Sequence, residues 1–254
     1  MLKRMGGIVE GLILIMIGLY AGWLVLGDDY WRFLNPKFKW LTALTAVMLL
    51  VTGSVAAWNP KGRARPSRVV VFLVFVSFLG LEIHAREPQG ASLEGFPRSG
   101  RAVQGPPRVT VEGVEYVRIN TAELFVQCEK KEPGVLAERF VTLGMVHRNE
   151  ELDQAGHFVV VRVVVTCCLA DAVGVGLRVR GRGWESVQEG QWVEVYGTLE
   201  PIEDPSPDPR LRVEGMRLTA VGRFCELVPA RIEAVPEPEI PFIFEIRDSE
   251  PYAY

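Results

Sequence analysis

The chain has 254 residues, 48% hydrophobic and 23% charged, with a formal net charge of −3, room for one ordinary domain plus a smaller appendage. The average conceals a division: residues 1–104 hold 12 Lys and Arg against 6 Asp and Glu, whereas residues 105–254 hold 16 against 25. The acidic second part lacks the neutralising cations that nucleic-acid binding needs, which excludes that class of partner, and the apolar sequence gathered at the start points to a membrane anchor.

Three apolar stretches make up this anchor, residues 1–85. The first, "GGIVEGLILIMIGLYAGWLVLG" at about 6–27, contains one acid, Glu10, and at 1.5 Å per residue is long enough for a hydrocarbon core of roughly 30 Å. It is too long for a cleaved signal and lacks a small-x-small site before the next stretch. The second, "WLTALTAVMLLVTGSVAAW" at about 40–58, is free of charge and bracketed by Trp40 and Trp58, the interfacial aromatics of a spanning helix. The third, "VVVFLVFVSFLGLEIHA" at about 68–85, is uninterrupted only from Val69 to Leu81. Arg68 marks its start, and Glu82 and His84 can snorkel at its far end, so a third span is expected; a buried strand or core helix is the alternative.

Lys3 and Arg4 at the N-terminus, with Lys61, Arg63, Arg65 and Arg68 between the second and third stretches, put those segments in the cytoplasm by the positive-inside rule. Three spans then place everything after about residue 85 outside; two spans would leave it inside. Residues 86–108, rich in Gly, Pro and Ser, read as a flexible tether.

From 109 to 228 the pattern is mainly β. "RVTVEGVEYVRIN" turns at Glu112–Gly113, and "NTAELFVQCEKK" reads as a helix capped by Asn120 or Thr121 with Glu123 close behind, ending at Pro133–Gly134. Five strand-like segments follow: "RFVTLGMVHR", "HFVVVRVVVTCC", "GVGLRVRG", "QWVEVYGTLEP" and "RLRVEGMRLTAV". Glycines inside the first and fourth suit sharp bends, so an OB-like small barrel is expected, with a short sandwich as the alternative. Gly174–Val175–Gly176 is expected to turn the chain between strands. The tail, 229–254, is Pro- and Glu-rich and expected to pack along the domain surface. There is no repeat, phosphate-binding glycine loop or nucleophile elbow, and the scattered carboxylates suggest no catalytic pair, so the chain is not read as an enzyme.

The chemistry gathers in "RVVVTCCLADAVGVGLRV", Arg162–Val179. All four cysteines, Cys128, Cys167, Cys168 and Cys225, lie in the second part, and outside the cytoplasm they could pair in three ways. Neighbouring residues of a strand face opposite ways, so one of Cys167 and Cys168 is expected in the core and the other on the surface. Three readings stay open. The pair is core filler with an idle or disulfide-bonded partner. Alternatively, with Asp171 and His147, the cysteines hold Zn or another thiophilic metal ion. Or they form a strained, readily reduced redox pair. His157 starts the strand that the cysteines end, over roughly 30 Å away if extended, so His147 is the better ligand candidate. Asp171 also suits a turn, and Trp184 and Trp192 suit the barrel's lid or core.

The three spans together with "LGMVHR", "CCLADA", "WVEVYGTL" and a terminal "PYAY" resemble the YcgQ-like family of bacterial membrane proteins over nearly the whole chain, most specifically at Cys167–Ala172. The resemblance implies an accessory subunit of a multi-spanning permease. One departure stands out: some relatives carry a His- and Asp-rich run between the second and third helices, where this chain has the basic, histidine-free "NPKGRARPSR". The expectation is a multi-pass protein of the bacterial inner membrane, embedded in the lipid bilayer, with an extracytoplasmic barrel that binds or presents a ligand, a metal ion among the candidates. Its rivals are a thiol–disulfide enzyme or sensor and a non-catalytic envelope scaffold.

Overall fold

A computed structural model describes residues 2–58, 107–130, 133–181, 184–202, 219–247 and 249–254, in two compact units divided between residues 94 and 95. In the first, helix α1 (Leu2–Leu26) and helix α2 (Lys39–Trp58) are joined by two short 3₁₀ turns. Both helices are long and apolar enough to cross a membrane, and twenty residues of α2 rise about 30 Å. Small residues let the pair approach closely: a Cβ on Gly11 would lie 2.7 Å from the Gly53 carbonyl oxygen, and one on Gly18 would lie 3.0 Å from that of Ala46. The connecting turn is tied by a 2.7 Å hydrogen bond between the Tyr30 and Thr42 hydroxyls, with Tyr30 and Trp31 buried. Tyr20, Trp23, Trp40 and Trp58 stand exposed, consistent with interfacial rings. The expected third span lies outside the described residues.

The second unit opens with a hairpin, β1 (Arg108–Val111) and β2 (Val114–Arg118), turning at Glu112–Gly113, both at positive φ. Helix α3 (Thr121–Lys130) follows with the expected start. The Asn120 side chain accepts from Glu123 N at 2.9 Å, and the Glu123 carboxylate accepts from Asn120 N at 3.3 Å, a reciprocal cap. Short helix α4 (Pro133–Leu136) leads to β3 (Arg139–His147), helix α5 (Glu150–Gln154) to β4 (His157–Val164), and then come β5 (Val173–Arg180) and β6 (Trp192–Pro201). The last strands are β7 (Thr219–Val221), β8 (Cys225–Ala234) and β9 (Phe242–Ile243).

Five of these strands close into a barrel. β3 pairs antiparallel with both β4 and β6, β4 with β5, and β6 with β8, and a parallel contact between β5 and β8 completes the ring. Phe140, Val146, Phe158, Val160, Leu177, Val179, Val193, Val195 and Leu227 fill it. The opposite side of β4 is also covered, with Val159 and Val161 packing on Leu152 and Val221. Burial on both faces explains the apolar stretch Phe158–Val161 of this strand. α3 inserts Leu124 and Cys128, four residues apart, into the same core, and a disulfide joins Cys128 to Cys225 on β8.

The glycines expected to bend the first and fourth strands sit at close approaches. A Cβ on Gly144 would lie 2.6 Å from a Val160 methyl, and one on Gly197 2.2 Å from the Val228 carbonyl oxygen, beside an irregularity in the β6–β8 register. Two expectations need correcting. Gly174 and Gly176 are inside β5 rather than in a turn; a Cβ on Gly176 would come 2.8 Å from the Val160 carbonyl oxygen, so close strand packing is what demands glycine there. The fifth barrel strand is β8, not the "RLRVEGMRLTAV" segment, of which the described residues include only β7. The Pro- and Glu-rich composition from residue 229 onward disguised the second half of β8, but Pro229 sits at the register irregularity, where its missing N–H is tolerated. The barrel therefore continues past residue 228.

Candidate dithiol site

β4 ends at Val164, opposite Val173, and the eight residues between strands hold both remaining cysteines. The chain does not stay extended through them. The Asp171 carboxylate accepts Thr166 N on Oδ1 at 3.0 Å, and Cys167 N at 2.7 Å and Cys168 N at 3.5 Å on Oδ2. Asp171 N donates to the Cys168 carbonyl at 3.0 Å, closing a 3₁₀ turn over Leu169–Asp171. Three successive N–H groups converging on one carboxylate curl the backbone, and the strand alternation that would send the thiols apart is lost. Neither cysteine enters the core: Cys167 is exposed, Cys168 half-buried, both are free thiols, and their sulfurs lie 3.6 Å apart. The expectation of one inward and one outward cysteine is corrected accordingly.

Ligand atoms of Cys167, Cys168 and Asp171 lie within 4.8 Å of one another. Desolvation pushes the Asp171 carboxyl upward, but the Cys167 thiol and the backbone N–H groups of residues 166–168 outweigh it and hold the group below its ordinary range. The reciprocal effect raises the Cys167 thiol to about 12, through its hydrogen bond to Asp171 first and the neighbouring Cys168 second. At rest Cys167 is a protonated thiol against a carboxylate, a poor nucleophile as it stands.

His147 does not join them. It is buried at the end of β3, its Nδ1 3.1 Å from Glu189 Oε1, and its register partner is Val159, eight residues before Cys167. Antiparallel pairing carries β3 away from the cysteine end of β4, so His147 is corrected to a member of the opposite end of that strand pair. His157 lies there too, with Nε2 3.5 Å from Glu226 Oε2, while Arg180 Nε meets Oε1 of the same carboxylate. Half-buried Trp192 begins β6, and the Arg162 guanidinium stands 6.0 Å from its ring; the Trp184 side chain is outside what the structure describes.

Two buried polar groups were not anticipated. Arg162, within the apolar run of β4, donates to the carbonyls of Ile240 (3.1 Å), Pro241 (3.3 Å) and Phe242 (3.3 Å). Desolvation lowers it to about 10. It straps the segment leading into β9 along β4, and a lone Arg among valines was the available signal. Glu123, fully buried, also accepts Arg247 N at 2.7 Å and Ala253 N at 3.0 Å, pinning the tail over α3. Nothing local in the sequence announces that second partnership. The expected packing of the tail on the domain is what these bonds accomplish.

Residues 122–220 match the sequence family described as the DUF1980 C-terminal domain, the group in which the YcgQ-like proteins fall. The match runs from α3 through β7 and includes the whole dithiol loop. No curated protein matches the chain.

Proposed function

We propose that this is a membrane-anchored accessory subunit of a multi-spanning permease, whose OB-type barrel stands outside the cytoplasm and presents a thiophilic metal ion at the Cys167–Cys168–Asp171 loop. The observation carrying the reading is the spacing of the two sulfurs. Two thiolates on one tetrahedral ion with metal–sulfur bonds of about 2.3 Å lie about 3.8 Å apart, close to the 3.6 Å between Cys167 and Cys168. The loop needs little rearrangement to chelate. Three protein donors or fewer leave at least one tetrahedral position open, which suits presentation and transfer better than structural storage.

The compartment is supported by chemistry rather than by span counting. A disulfide between Cys128 and Cys225 belongs to an oxidising environment, which agrees with a third span between α2 and the barrel. The permease partnership rests on the YcgQ-like resemblance and on an anchor of few helices, too small to form a pathway alone. Against the thiol–disulfide rival stands the raised Cys167 thiol, opposite in direction to the activated thiols of redox enzymes.

The test is purification of the full chain from bacterial membranes, under nitrogen and without chelator, with metal content and free thiols measured together and co-purifying proteins identified. About one thiophilic ion per chain, lost in Cys167→Ser and in Cys168→Ser, together with a multi-spanning partner, is the expected result. Absence of metal, with thiols that cycle rapidly, would replace this reading with the redox one.

A further inference from the structure

Resting on the metal-site reading above, we infer that Asp171 is a positioning residue and not a ligand: it shapes the loop so that Cys167 and Cys168 are the whole protein ligand set, and the remaining coordination positions belong to donors from outside the chain. A carboxylate has about four acceptor directions. Those of Asp171 are engaged by the backbone N–H groups of Thr166, Cys167 and Cys168 and by the Cys167 thiol. Loss of the thiol proton on metal binding vacates one of them, but the three N–H bonds remain. Drawing the carboxylate onto the ion would break the contacts that hold the two sulfurs on one side. Hydrogen bonds from the backbone to an ionised oxygen are among the stronger ones, so ligation by Asp171 would undo the geometry that makes the site.

The surroundings offer no substitute. Among the described residues, no further His, Cys, Asp or Glu joins this cluster, and His147 and His157 are committed to Glu189 and Glu226 at the other end of β4. Cys167 is exposed, so solvent or an incoming thiolate reaches the open positions directly. A two-sulfur set with no fixed oxygen ligand discriminates against Mg²⁺ and Ca²⁺, which require oxygen donors, and favours soft ions that move between carriers by exchange of thiolate ligands. Asp171 thus acts as an outer partner of both ligands, fixing their direction.

X-ray absorption spectroscopy of the full chain in detergent, loaded with Zn²⁺, distinguishes the roles. Wild type and Asp171→Asn are compared with and without an added small thiol, and Zn²⁺ affinity is titrated in parallel. The expected spectra are the same for both proteins: two sulfurs at about 2.3 Å, rising to three or four when the thiol is added. The expected affinity loss for Asp171→Asn is about 10–100-fold, the usual effect of removing an outer partner, and Cys167→Ser or Cys168→Ser lowers the sulfur count to one. A first shell that changes in Asp171→Asn, or a wild-type site that refuses the added thiol, overturns the positioning role while leaving the metal site standing. A wild-type chain that takes up no Zn²⁺ overturns the metal site itself, and the positioning role with it.

Discussion

Removing the Cys128–Cys225 disulfide is expected to strip the barrel of much of its stability. The bond joins α3 to β8 across a sequence separation of 97 residues, between two almost fully buried positions. In the chain-entropy description a closed loop of about 100 residues restricts the unfolded ensemble by about 4.7 kcal/mol at 25 °C. For a unit of this size, one kcal/mol shifts the melting temperature by about 2–4 °C, so the expected drop is about 10–20 °C. The assay is thermal unfolding of the full chain in detergent, followed by near-ultraviolet circular dichroism, comparing wild type with the Cys128→Ala/Cys225→Ala variant. Wild type treated with a phosphine reductant provides a second arm that deletes no side chain. Both arms should fall together. A double variant melting within about 2 °C of the parent would refute the reasoning, since no plausible denatured-state compaction hides so large an entropic constraint.

Alkylation of Cys167 in the wild-type chain at pH 8, assigned to that residue by tandem mass spectrometry, should be slow. A thiol held near 12 rather than at its ordinary 9.0 has about 10³-fold less thiolate, and the higher nucleophilicity of a more basic sulfur recovers about 20-fold, leaving a net rate roughly 50-fold below that of a small thiol. The rate should keep climbing beyond pH 9, and Asp171→Asn should raise it at neutral pH. Arg162→Met strands the carbonyls of residues 240–242 and should destabilise the barrel by about 2–4 kcal/mol, with protease cleavage near β9 as the readout. Burial holds the Glu123 carboxyl above its ordinary value. Its stabilising contribution is therefore present below the unfolded carboxylate pKa and lost as pH rises through the folded value, so Glu123→Gln should flatten that part of a stability–pH profile.

Much of the architecture is written in local pattern. The uninterrupted apolar runs at 6–27 and 40–58 could be read as helices because a bilayer demands both length and apolarity. Asn120 and Glu123 announced the start of α3 through reciprocal capping, and Gly144 and Gly197 marked where barrel strands come too close for a side chain. What escaped notice depends on partners distant in sequence. The Pro- and Glu-rich composition from residue 229 onward hid the second half of β8, where Pro229 is accommodated by a register irregularity against β6. The valines of β4 concealed Arg162, whose acceptors lie 78–80 residues away. His147 looked near the cysteines because its strand precedes theirs, but antiparallel pairing sends it to the other end. At the dithiol itself the residue types were legible and the geometry was not. Alternation predicts opposed side chains, and only the convergence of three N–H groups on Asp171 reverses that prediction.

The most direct test of an outward-facing reduced dithiol is the state of all four cysteines in living cells. Cells are quenched in acid, the denatured protein is alkylated, and the peptides are read by mass spectrometry. Cys128 and Cys225 should be recovered as a disulfide, with Cys167 and Cys168 both alkylated as thiols. Four reduced cysteines would place the barrel in the cytoplasm, and a Cys167–Cys168 disulfide would make the loop a redox element; either result contradicts the account.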